Sequence, residues 1–148
     1  MNSEFKQEIR FGIENADKVF AAMMAIAIQD FPQQVKSPAL AFECLGYYNA
    51  LEHLMLRFLK KAGHAKPSGA ASHRDTMRLF QQFLNERGTV MQESESAFLL
   101  ELMGFRHVAT KIYSFIIDYD RLLALVARIQ TSHVAIRSLF ESLIEDED

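Results

Sequence analysis

Arg106 and Tyr113 are seven residues apart, with Thr110 between them. At roughly 100° per residue of helix they fall within about 20° of each other, two turns apart on one face. His107 and Lys111, four apart, form a second row on the neighbouring face. These residue types can do chemistry. A guanidinium grips phosphate through two parallel N–H bonds. An imidazole exchanges protons near neutral pH, and an ammonium holds anionic charge. On periodicity alone, the stretch from Glu101 to Tyr113 fits either an exposed salt-bridged face or a polar site in a groove or at a dimer interface.

The elements that would hold this stretch are helices. Phe5, Ile9, Ile13, Ala16, Val19, Phe20, Met23 and Ala27 recur at three- and four-residue steps behind Ser3, a good N-cap. That predicts a long helix ending near Asp30-Phe-Pro32, with its C-terminal half buried on more than one side. Ser37-Pro38 supplies a cap and a first-turn proline for a second helix, Ala39 to Ala62. Leu40, Cys44, Tyr47, Leu51, Leu54, Met55 and Phe58 line one side of it, and Gly63 stops it. A loop runs from His64 to Ser72. Ser72 then caps a shorter helix, with Met77, Phe80, Phe83 and Leu84 inward and Gly88 as its stop.

The fourth helix starts at Ser94 or Ser96 and carries the polar stretch. Phe105, Val108, Ala109, Ile112 and Phe115 bury its other faces. Gly104, just before Arg106, is either a tolerated defect or a place where another helix approaches. Asp118-Tyr-Asp120 reads as a break and a new cap for a fifth helix. No stretch alternates strictly, and no Gly-rich phosphate loop or internal repeat appears. The expected class is all-α, a four- to five-helix up-and-down bundle. Residues 1–144 read as a single domain and residues 145–148 as an acidic tail.

Bulk properties narrow the function. The 148 residues suffice for one domain with a real core. The net charge of −3 is more than accounted for by the acidic last four residues, so any RNA contact must be local. Cys44 is the only cysteine, which rules out an internal disulfide and fits a reducing cytoplasm. No signal peptide is visible, and the apolar run from Val19 to Ile28 is short of the roughly 20 residues a membrane span needs. Neither a His-Glu-x-x-His pattern nor paired cysteines suggest a metal. His53 and His133 read as surface or partly buried side chains. His73-Arg74-Asp75, opening the third helix, reads either as a solvated helix start or as a basic pair suited to phosphate.

The chain resembles the HepT-like branch of the HEPN superfamily. That family carries Arg-x4-His-x-Tyr on its last major helix but one, with a polar residue after the Arg. Here the frame is Arg106-His-Val-Ala-Thr-Lys-Ile-Tyr113. Arg106, His107 and Tyr113 match, and Lys111 stands in the place of the motif histidine. Tyr47-Tyr-Asn-Ala-Leu-Glu-His53 is similar to the family's glutamate-bearing helix. Lys66-Pro-Ser-Gly-Ala-Ala-Ser-His-Arg-Asp75 is similar to a segment of one HepT-like branch, as is Ile117-Asp-Tyr-Asp-Arg-Leu122. The resemblance covers about residues 40 to 130.

It implies a metal-independent endoribonuclease, without cofactor, acting in the cytoplasm as a toxin. Two copies of the motif would face one cleft in a homodimer. Its antitoxin would be a small MntA-like nucleotidyltransferase that adds AMP to Tyr113. RNA, tRNA among the candidates, would be the substrate. RNA cleavage by its own 2′-hydroxyl needs a base, a cation on the phosphate and an acid. Arg106 suits the cation. Lys111, with an ordinary pKa of about 10.4, binds phosphate or donates but does not accept at neutral pH. His107 of one copy could then face a phosphate held by Arg106 of the other. The expected site is Arg106, His107, Lys111 and Tyr113, with His73 and Arg74 as further phosphate contacts. The alternative is a degenerate module that only partners the nucleotidyltransferase or accepts its AMP.

Overall fold

A computed structural model describes residues 2–111 and 117–145, Lys111 in its backbone alone. Five helices make up the fold: α1 (Ser3–Ala27), α2 (Gln33–Lys61), α3 (Ser72–Glu86), α4 (Glu93–Lys111) and α5 (Tyr119–Glu145). The described residues contain no strand. The all-α bundle follows from the apolar periodicity, because each helix has one stripe that must leave water.

Contacts along the helices fix their directions. Glu8 meets Arg57, and Gly12 meets Leu54, so α1 and α2 are antiparallel. A Cβ on Gly12 would lie 2.6 Å from Leu54 Cδ2, so glycine permits this close approach. Glu101 pairs with Arg128, while Gly104 and Val108 share a surface groove with Leu125 and Arg121, so α4 and α5 are also antiparallel. Tyr47 meets His133 and Phe58 meets Phe140, which makes α2 and α5 parallel. The four long helices thus alternate in direction. The short α3 is inserted beside α2 in the same sense, because the connection after Lys61 climbs back toward Glu52.

Helix α2 is the hub and packs against each of the other four. The side chains its periodicity marked, Leu40, Cys44, Tyr47, Leu51, Leu54, Met55 and Phe58, are all buried, and Ala41, Tyr48 and Leu59 are buried with them. Phe58 meets Phe5, Phe80, Phe83 and Phe140 at ring-centroid distances of 5.4, 6.3, 5.7 and 6.2 Å. This aromatic knot fixes the position of α3. Gly63 and Gly88 end α2 and α3 with φ of 92° and 75°. In each case the residue after the glycine donates back to the third-last carbonyl of the helix, His64 to Leu59 and Thr89 to Leu84, both at 2.9 Å.

Several boundaries depart from expectation. Asn2, not Ser3, caps α1, accepting the Phe5 N–H at 2.8 Å. Helix α2 begins at Gln33 rather than after Ser37, because the Pro32 carbonyl already takes the Lys36 N–H at 2.9 Å. Pro38 therefore lies inside the helix, and Gln34, whose carbonyl it cannot serve, is exposed. Ala71 occupies the cap position of α3, and Ser72 is its first helical residue. Helix α4 starts at Glu93, one residue before Ser94 and three before Ser96. The C-terminal half of α1 is not enclosed: Met23 is buried, but Ala21, Ala22 and Ala25 are exposed and Ile28 is 82% exposed. Asp118 caps α5 as its type suggested, accepting the Arg121 N–H at 3.2 Å. No helix among the described residues is long and apolar enough to cross a membrane.

Candidate functional site

Three helices meet around Glu52. On α2, Tyr48 and Glu52 are four apart and share a face, and the Tyr48 O–H donates to Glu52 Oε2 at 2.8 Å. On α3, His73 continues the inward line of Met77, Phe80 and Leu84, so its ring turns toward α2. Its Nδ1 lies 2.5 Å from the same Glu52 oxygen. Its ring meets the Tyr48 ring edge-on, with centroids 6.0 Å apart. On α4, Arg106 extends the buried line of Leu99 and Leu102, which brings it to the same face of α2. It is half-buried, and its charge acts on the Tyr48 hydroxyl.

The electrostatics follow from this crowding. Burial, then the hydrogen bond and charge of Glu52, push the Tyr48 phenol well above its usual range, while the Arg106 guanidinium pulls it partly back. Tyr48 is therefore a neutral donor. Glu52 accepts from Tyr48 and His73 on one oxygen. Side-chain exposure is 31% for His73 and 13% for Glu52, so the imidazole is open to solvent while the carboxylate beneath it is covered.

The expected site residues are distributed unevenly. Arg106 and His73 converge on one cluster. His107 is exposed on α4, and Arg74 is exposed on α3. The Thr110 hydroxyl donates back to the Arg106 carbonyl at 2.8 Å, so it serves its own helix. Val108, expected to be covered, is 38% exposed. A Cβ added at Gly104 would meet nothing within 4 Å, so no described part of this chain uses the glycine for close approach. Tyr113, Ile112 and Phe115 lie outside the described residues, as do the Lys111 side chain and the last three residues of the tail. Tyr48 was not singled out by sequence reasoning, although its place one turn before Glu52 is a usable signal. No group of three His, Cys, Asp or Glu side chains suited to a metal occurs among the described residues.

His133 is not the surface or partly buried side chain expected, but a buried one. It is 7% exposed and stacks on Phe20 at 4.3 Å. Its Nε2 lies 2.8 Å from Asp17 Oδ1, and its Nδ1 lies 2.8 Å from the Tyr47 hydroxyl. In the neutral ring, Nε2–H donates to Asp17 and Nδ1 accepts from Tyr47. Asp17 also holds Arg137 at 3.1 Å. Cys44 is fully buried, and burial with the neighbouring Glu43 charge pushes its thiol up to about 12, so it is no nucleophile at neutral pH.

Fold and site together define an all-α bundle that gathers an arginine, a histidine and a carboxylate from separate helices on one partly open face. A family model described as HepT-like protein matches residues 39–146, and the chain belongs to this HepT-like family of HEPN proteins. The match takes in α2 from its second turn to the end of α5, and so every residue of the cluster. Comparison with curated proteins returns no match, and neither does comparison with solved structures.

Proposed function

We propose that the protein is an endoribonuclease of the HEPN type, acting in the cytoplasm as the toxin of a toxin–antitoxin pair. The observation that carries this reading is the place of Arg106. It is half-buried on α4, and its charge reaches the hydroxyl of Tyr48, which is hydrogen-bonded to the same glutamate oxygen as His73. A guanidinium there would grip a phosphodiester and steady the charge that builds on phosphorus during attack by the 2′-hydroxyl. A homodimer brings the α4 helices of two copies across one cleft, so that His107, Lys111 and Tyr113 of both chains border the bound RNA. Arg74, exposed one residue after His73, adds a phosphate contact.

The test is cleavage of diverse RNAs, tRNA among them, by wild-type protein beside Arg106→Ala and His107→Ala. Arg106→Ala should lose activity by about 10²- to 10³-fold, the usual cost of removing a charge-stabilising donor. Three equally inert preparations would sink the enzyme reading.

Lys111 favours a second reading, since a lysine in the motif-histidine position removes the family's usual proton acceptor. In it the protein partners a small MntA-like nucleotidyltransferase and accepts AMP on Tyr113 without cleaving RNA. Intact-mass measurement after incubation with such a partner and ATP separates the two. An AMP adduct lost in Tyr113→Phe, from a protein inert on RNA, supports the second reading over the first.

A further inference from the structure

We infer that His73, held by Glu52, is the proton-transferring catalytic residue for RNA cleavage at this site, in the role that Lys111 cannot fill. This rests on the endoribonuclease reading above. The five histidines of the chain sort by what their rings can do. Both nitrogens of His133 are taken, by Tyr47 and Asp17, and its ring lies under Phe20. His53 and His64 are exposed on α2 and in the loop after it. His107 is exposed on α4, and no partner among the described residues orients it. His73 alone combines a ring fixed by a carboxylate with an open edge.

The geometry sets the tautomer. Glu52 accepts, so Nδ1 of His73 carries the hydrogen and donates to Oε2 at 2.5 Å. Nε2 is then the bare nitrogen, and no hydrogen bond among the described residues engages it. The carboxylate also steadies the imidazolium that forms when Nε2 takes a proton. Tyr48 donates to the same oxygen and sets its edge against the His73 ring, which holds the carboxylate and imidazole in register. The Arg106 charge acts on the Tyr48 hydroxyl. On this assignment, a phosphodiester held by Arg106 places its 2′-hydroxyl at the open Nε2.

Nε2 takes the proton of the 2′-hydroxyl as the 2′-oxygen bonds to phosphorus. The bond from phosphorus to the 5′-oxygen breaks, and its electron pair leaves with that oxygen, which takes a proton from water. The hydroxide left behind recovers the proton from the imidazolium. The products are a 2′,3′-cyclic phosphate and a 5′-hydroxyl end. Arg106 touches the phosphate, His73 touches the reacting hydroxyl, and Glu52 and Tyr48 are positioning residues.

The experiment measures kcat and KM on one RNA for wild type, His73→Ala, His73→Gln, Glu52→Gln and Arg106→Ala, with urea midpoints to confirm folding. His73→Ala and His73→Gln should each lower kcat by about 10²- to 10⁴-fold, the usual weight of general acid–base catalysis, with KM unchanged. Added imidazole should restore part of the activity of His73→Ala, whose cavity admits it, and none of Arg106→Ala. Glu52→Gln should lower kcat by at least about tenfold without raising KM, because the ring loses the partner that fixes its tautomer. If Arg106→Ala is inactive while both His73 variants cleave like wild type, the assignment of His73 fails and the endoribonuclease reading stands. If the His73 variants raise KM alone and imidazole restores nothing, His73 is a binding residue and the assignment fails likewise. If wild type cleaves no RNA, both readings fall.

Discussion

Two adjacent tyrosines of α2 lead to two different histidines. Tyr47 turns into the core, meets His133, and through it reaches Asp17 on α1. Tyr48, one residue on and about 100° round the helix, meets Glu52 and His73 at the surface of α3. The residue types are the same: a phenol, an imidazole and a carboxylate. The connections differ. The imidazole of His133 is wedged between phenol and carboxylate, so both of its nitrogens are spent. In the outer set the carboxylate is the middle member, so the imidazole is terminal and keeps one nitrogen free. A saturated imidazole in a core ties three helices together. A terminal one with a free nitrogen can exchange a proton with a substrate.

If that contrast is right, the inner set should carry stability and the outer set should not. His133→Ala should cost about 2–4 kcal/mol, since it strands the buried Tyr47 hydroxyl and opens a cavity under Phe20. The urea midpoint reports this, and a loss below about 0.5 kcal/mol would break the comparison. Tyr47→Phe should cost about 1–2 kcal/mol, and Tyr48→Phe less than about 1 kcal/mol, because only the first leaves a buried ring nitrogen without its partner. Equal losses in the two would erase the distinction between them.

Alkaline pH probes both tyrosines at once. The phenols of Tyr47 and Tyr48 are raised above their ordinary 10.0, in each case chiefly by burial, and the Cys44 thiol is raised from 9.0 to about 12. Above pH 9 the unfolded chain sheds these protons while the folded chain keeps them, so stability falls as pH rises. Below pH 9 their contribution is fully present. Urea midpoints from pH 7 to 11 should be level at first and then decline, with a shallower decline in Tyr47→Phe. A midpoint that rises toward pH 11 contradicts the assignment of these groups as buried and neutral. The smallest effect belongs to the rim of the inner set. Arg137→Ala removes exposed ion pairs to Asp17 and Glu141 and should cost less than about 1 kcal/mol, reduced further by salt.

The helices were legible because burial repeats along the chain. Phe5, Ile9 and Ile13 on α1, or Met77, Phe80 and Leu84 on α3, announce a face that must be covered. The boundaries were less legible because rival caps stand side by side: Asn2 beside Ser3, and Pro32 a few residues before Ser37. The site was legible within a helix and not between helices. Arg106 stood out by type, and His73 by its place at a helix start. That Glu52 would hold His73, 21 residues on, depends on how residues 62–71 turn back along α2. That Asp17 would reach His133 across 116 residues depends on the packing of α1 against α5. Neither separation leaves a periodic trace. Apolar periodicity failed at the C-terminal half of α1 for a related reason: it shows which residues could be covered, but not whether another element arrives to cover them.

The most direct test of the functional account is an end-group assay on RNA incubated with folded wild type and folded Arg106→Ala. Wild type should yield fragments ending in 2′,3′-cyclic phosphate and beginning with 5′-hydroxyl, and Arg106→Ala should yield at least about 100-fold fewer. Intact RNA from both proteins, or the same fragments from both at equal rates, would contradict it.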